Sequence, residues 1–163
     1  MSYLDIDLQD HYAGSTMGLE LAKRTASNNE GNAEFAAPLS RVANEIDEDR
    51  EELKRIMSRL EVGEPRVKAT LAWGMEKVSR LKPSGKLLRY TPLSRMMELE
   101  GLITGVSGKL SLWRALIELS VNEERLDEAA LTRLAERAED QLQRLHALRG
   151  AAALIAFGSA NMS

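Results

Sequence analysis

The stretch PLSRMMELEGLITGVSGKLSLWRALIELS, residues 92 to 120, decides the fold. Its apolar residues Met96, Leu99, Ile103, Val106, Leu110, Trp113 and Ile117 recur at steps of three and four, the spacing that lines one face of an α-helix. Pro92, behind Thr91 as N-cap, suits a first helical turn, where the missing N–H costs no hydrogen bond. No proline follows as far as Ser163. A helix of roughly 30 residues is about 45 Å long. Such a rod buries its stripe only against others of similar length.

Working outward, the chain supplies them. A helix from Pro38 to about Glu61 carries Leu39, Val42, Ile46, Leu53, Ile56 and Leu60 on one seam, with Asp49 in the gap. A helix starting at Asp127, a good N-cap followed by Glu128, carries Leu131, Leu134, Ala138, Leu145, Leu148, Ala152 and Ile155, with Gln141 in its gap. The first helix spans about Asp5 to Ser27, and the polar run Asn28 to Asn32 breaks it. A shorter one is expected from Pro65 to Leu81, before the Pro83-Ser84-Gly85 turn. The short joint Val121 to Leu126 makes the last two helices antiparallel neighbours. About 30 residues separate the second long helix from the third, enough for a crossover that leaves those two parallel. The expected fold class is all-α: an antiparallel four-helix bundle with a short extra helix in the long crossover between the second and third long helices. Residues 1–163 read as one domain, with a disordered tail from about 159.

Composition agrees. The chain has 25 Leu and 20 Ala but only seven aromatic residues, and Ala plus Leu far outnumber Val, Ile and Thr. Zero Cys excludes disulfides, thiolate metal sites and a Cys nucleophile, and two His leave little for histidine chemistry. The N-terminus lacks the basic start of a signal peptide. The most apolar run, Gly150 to Gly158, falls well short of the ~20 residues of a membrane span. A cytoplasmic protein without membrane contact is expected.

Polar residues on the seams are the first candidate site. An unpaired buried carboxylate costs several kcal/mol, so Asp49 needs a partner, a proton or water. Glu45 lies one turn before it, and Glu100 flanks the Met96–Ile103 seam. The expected buried cluster is Glu45, Asp49, Glu100 and Gln141, with Asp49 and Gln141 a hydrogen-bonded pair that fixes helix register. A one-residue change of helix phase would instead turn Asp49 toward solvent. The rest of the acidic run, six acids between Glu45 and Glu52, makes a solvated face.

Two antiparallel pairs of long helices, a crossover and inward acids resemble the ferritin-like superfamily. That family is similar in carrying a single Glu on two helices and Glu-x-x-His on the other two, holding two metal ions. The resemblance implies Glu45 and Glu100, with Glu20, as the single acids, and Gln141 in a position that some ferritin-like helices fill with glutamine. No Glu-x-x-His or Asp-x-x-His occurs: His11 directly follows Asp10, and Gln143 precedes His146 by three. No metal, cofactor or catalytic residue is therefore expected.

Five glycines, Gly14, Gly18, Gly101, Gly105 and Gly108, sit inside expected helices at about 1 kcal/mol each relative to Ala. They read as glycine faces drawing helices together, or as space cleared for a ligand. The run Gly105-Val106-Ser107-Gly108-Lys109 is no phosphate loop, because Leu110 follows the lysine and no strand precedes.

The net charge of −3 divides unevenly. Residues 64–95 carry +6, leaving −9 for the remainder. Arg80, Lys82, Lys86 and Arg89 bracket the Pro-Ser-Gly turn and form a candidate anion site. The basic segment reads three ways: paired with the acidic helix, meeting acids on another chain, or binding an anionic ligand or nucleic-acid backbone. Overall acidity and the lack of a helix-turn-helix or finger motif weigh against nucleic acid. The expected function is protein association without catalysis, as a homodimer. The alternatives are a degenerate ferritin-like metal or small-ligand protein, and anion binding through the crossover.

Overall fold

The computed structural model describes residues 1–65 and 89–158. They form four helices: α1 (Tyr3–Asn28), α2 (Ala36–Arg59), α3 (Pro92–Ser120) and α4 (Glu128–Gly158). No strand occurs among the described residues. The expected short helix over 65–81 and the tail from 159 lie outside the described residues, apart from Pro65.

Local chemistry sets the helix starts. Ser2 and Asp5 exchange hydrogen bonds at the start of α1: Ser2 N donates to the carboxylate at 2.8 Å and Asp5 N to the hydroxyl at 3.1 Å. Thr91 and Ser94 repeat the arrangement at α3, with Pro92 just inside. Asp127 Oδ1 accepts from Ala130 N at 3.0 Å, as its N-cap role requires. α2 differs from expectation. It begins at Ala36, so Pro38 sits inside its first turn, and Phe35 precedes it without a side-chain cap. Phe35 is fully buried instead, so packing holds this end. α2 closes through Glu61, in the left-handed region at φ 60°, with Val62 N donating to Met57 O at 2.9 Å.

The helices form a bundle with α1 beside α2, α3 beside α4, and α1 beside α3; α2 and α4 approach closely at few points. α2 and α3 are diagonal, with no close backbone approach. Their direction is fixed by contacts at two levels. Arg95, near the start of α3, reaches Asn29 and stacks 4.5 Å from the Phe35 ring, just before α2. In mid-helix, Lys109 meets Asp49. α2 and α3 are therefore parallel, as a crossover demands.

Every apolar residue of the α2 seam is buried, and Asp49 with them at 1% exposure. In α4 the seam is buried from Leu131 to Ala152 with Gln141 at 0%, but Ile155 is 37% exposed, outside the core it was expected to join. Along α3 the buried line is Leu99, Leu102, Val106, Leu110, Trp113 and Leu116; Ile103 and Ile117 are only partly covered. The pairing of Glu45 with Arg144 puts Ala36 level with Ala153, so the last residues of α4 run beyond the start of α2.

Four of the five helix glycines do not draw helices together. Arg24 pairs with Glu98 and Asn29 with Arg95, a register that brings Gly18 level with Gly105 and Gly14 with Gly108, within one residue. Yet a Cβ on any of the four would meet no atom within 4 Å. No neighbouring helix packs against these four positions. Since added methyl groups have room, Gly14→Ala and Gly105→Ala should each raise stability by about 0.5–1 kcal/mol through helix propensity. Urea unfolding measures this; a loss of stability would show that the helices close on these positions.

Candidate functional site

The centre of the bundle is polar. Asp49 comes from α2, Lys109 from α3 and Gln141 from α4. Lys109 Nζ donates to Asp49 Oδ2 and, at 2.6 Å, to Gln141 Oε1. Gln141 Nε2 donates back to Asp49 Oδ2 and to Glu45 Oε2, each at 3.2 Å. Arg137 donates to Asp49 Oδ1 and, at 2.8 Å, to Glu48. Arg144 donates to Glu45 at 2.5 Å and to Asp140 at 2.7 Å, and Arg41 donates to the other Glu45 oxygen at 2.8 Å. Four carboxylates thus meet four cations. The expected pairing of Asp49 with Gln141 is present, and Glu45 joins it.

Glu100 does not. It is exposed on α3 and accepts from Arg149 Nη2 at 2.7 Å and Nε at 3.0 Å. It points along the α3–α4 edge, where the arginine of α4 reaches it from outside. Glu20 is exposed as well. His11 is partly covered and 3.8 Å from Asp7, and His146 is exposed.

Six charged residues of the network were absent from the expected cluster: Lys109, Arg137 and Arg144 at its centre, and Arg41, Glu48 and Asp140 at its rim. Lys109 had a readable signal. Leu102, Val106, Lys109, Trp113 and Leu116 form their own line at steps of four and three, and the lysine sits in it as Asp49 and Gln141 sit in theirs. Arg137 and Arg144 lie one turn either side of Gln141, beside the seam, with stems covered and guanidinium groups turned inward.

Burial and charge compete at these groups. Burial pushes the Lys109 ammonium below its ordinary value, and the Asp49 carboxylate opposes the shift. At Glu45 burial works against the charged form, but bonds from Arg144, Arg41 and Gln141 prevail and hold the carboxyl below its usual range. Burial likewise opposes the Arg144 charge, which Glu45 and Asp140 more than restore. Two guanidinium nitrogens, Arg137 Nε and Arg144 Nη1, are buried without an acceptor among the described residues. Among those residues no group of three or more His, Cys, Asp and Glu is arranged to hold a metal ion. Lys109 occupies the space between Asp49 and Gln141 that a cation would take.

Of the candidate anion site, Arg80, Lys82 and Lys86 lie outside the described residues, and Arg89 is exposed. The neighbouring Tyr90 and Arg95 belong to a clasp. Asn29, buried, donates to Thr25 O at 2.7 Å and to the Tyr90 hydroxyl at 2.9 Å. Tyr90 donates to Glu98 at 2.9 Å, which also pairs with Arg24 at 3.1 Å. The clasp ties the start of α3 to the end of α1. On the outer side of α2, Asp47, Glu48, Glu51 and Glu52 line a shallow concavity of about 620 Å³ with Arg55 and Arg137, the solvated acidic face expected.

Fold and site define an all-α bundle organised round an interior ion-pair network. Comparison with models of protein families, with curated proteins and with solved structures finds no match.

The network makes two predictions. Asp49→Ala strands Lys109 and Arg137 without their shared anion and should cost about 3–5 kcal/mol. Adding Lys109→Met should recover part of that loss, because the stranded ammonium is removed; a double-mutant cycle by urea unfolding reads the coupling. Burial, with Glu98 beside the phenol, pushes Tyr90 up to about 12 from 10.0. A raised folded value means this stabilisation is complete below pH 10 and is lost as pH rises toward 12. The phenolate absorbance titration should therefore show a last step near pH 12 that Tyr90→Phe removes.

Proposed function

We propose that the chain works by protein association, as a homodimer, and not by catalysis. The observation that carries this reading is the outer side of α4 near its end. Leu154 is 78% exposed and Phe157 59%, within a run, Gly150 to Gly158, that contains no charged residue. The inner side of the same turns is buried through Leu148 and Ala152. A helix apolar on both sides has two faces to cover, and the bundle covers one. Leu93, 46% exposed at the start of α3, extends the apolar area on the antiparallel neighbour.

The interior supports the non-catalytic half of the proposal. Asp49 and Glu45 are the acids that a metal or acid–base reading would use, and each is engaged by two cations. A carboxylate so held has its lone pairs taken up by those cations and offers few to a metal. No helix among the described residues is long and apolar enough to cross a membrane. A cytoplasmic setting, which suits a chain with no cysteine, completes the proposal.

Sedimentation velocity tests it. The expected result is a species of about 36 kDa, twice the 18.1 kDa chain, that grows with concentration through the micromolar range. A single 18.1 kDa species across that range would reject homodimerisation.

A further inference from the structure

The outer face of α4 has a pattern of its own. Gln143, Ala147, Gly150, Leu154 and Phe157 follow one another at steps of four, three, four and three, and all five are exposed. That is the spacing of a coiled-coil seam, laid on the side of the helix that faces away from the bundle. Within it the sizes are ordered. Leu154 and Phe157 are large, Ala147 is small, and at Gly150 a Cβ would meet nothing within 4 Å.

From this we infer that α4 pairs with α4 of a second copy, antiparallel, about a two-fold axis through Leu154. The inference rests on the association proposed above and names its geometry. A two-fold at Leu154 sets the two Leu154 side chains against each other. It carries Phe157 of each copy over Gly150 and Ala151 of the other, so the largest side chain of the seam falls where the seam is emptiest. The profile of large and absent side chains is complementary to itself, which an isologous interface requires. A parallel pairing would instead place Phe157 on Phe157 and leave the two glycine gaps facing each other.

Charge agrees. No ionised side chain lies between Gly150 and Gly158, so two copies bring no like charges together at the axis. The nearest acids of α4, Asp140, Glu139 and Glu136, lie about 21 Å or more along the helix from Leu154. That exceeds the screening length of about 8–10 Å in physiological salt. A charged partner of another kind finds nothing here to read, whereas a second copy meets its own apolar complement. The size of the seam sets the strength. Leu154 and Phe157 with the small residues between them make a short seam, smaller than the about 800 Å² per partner of a standard interface. The dimer is accordingly a weak one.

Because the chain has no cysteine, single thiols report the axis directly. Leu154→Cys should form a disulfide-linked dimer in the full chain on mild oxidation, since only residues at the axis bring their Cα atoms within the roughly 4.4–6.8 Å that a disulfide spans. Gln143→Cys, about 33 Å from its copy in this arrangement, should not. Leu154→Glu should weaken the dimer at least about thirtyfold in sedimentation while leaving the helical circular dichroism unchanged. Cross-linking at both positions would indicate parallel pairing and overturn the geometry while keeping the homodimer. A dimer indifferent to Leu154→Glu, with no cross-link at 154, would place the interface elsewhere and reject the inference alone. A monomer at every concentration would reject the inference together with the association it rests on.

Discussion

One ammonium group ties two helices whose backbones do not approach. α2 and α3 lie across the bundle diagonal, and the reach of Lys109 to Asp49 spans the gap between them at mid-height. Gln141 brings α4 to the same point by accepting from the lysine and donating to the carboxylate. The arrangement is costly to assemble, because each ion must leave water, and costlier to dismantle by halves. It therefore acts less as glue than as a specification. Sliding α2 by one turn would set Ile46 or Leu53 against the lysine and strand two opposite charges in an apolar layer. The apolar seams, mostly aliphatic side chains at similar spacing, carry no such penalty for slipping.

The acidity of α2 follows the same logic. Its six acids between Glu45 and Glu52 divide by direction. Glu45 and Asp49 turn toward α4 and are neutralised by arginines placed a turn either side of Gln141. Asp47, Glu51 and Glu52 remain on the outer face, and Glu48 bridges the two groups through Arg137. A helix this acidic repels itself, and the cations that relieve it come both from α2, through Arg41, Arg50 and Arg55, and from Lys109 of α3 and Arg137 and Arg144 of α4. Secondary structure and tertiary pairing are thereby tied to one another at this point.

Much of the architecture could be read from spacing, because four amphipathic stripes of similar length have few ways to cover one another. Asp49 and Gln141 stood out for the same reason: each interrupts an otherwise regular seam. Lys109 escaped because α3 supports two overlapping lines of apolar residues. The line through Ile103, Leu110 and Ile117 steps past the lysine, and the line through Leu102, Val106 and Leu116 includes it. Only the neighbours decide which line faces inward, and burial follows the second. Glu100 failed for the converse reason, since a flanking position points inward or outward according to a rotation of tens of degrees that sequence does not encode. The glycines misled because a missing side chain permits close approach without causing it. The exposed apolar residues of α4 were hidden inside the run Gly150 to Gly158, whose length was weighed against a membrane span and whose Ile155 was assigned to the core.

The unequal lengths of the helices have a mechanical consequence. α4 has 31 residues and α2 only 24, and their register leaves the final turn of α4 overhanging its shorter neighbour. Up to Ala153 the helix runs beside both α2 and α3; past that level α3 is its helical neighbour among the described residues. A force applied at Phe157 would then bend a cantilever whose fulcrum lies near Ala153, one turn beyond Arg149, the last charged anchor before the tip. Loads at that tip reach the ionic centre only through several turns of stiff helix. The body of the molecule can stay rigid while its free end adjusts to whatever it bears against.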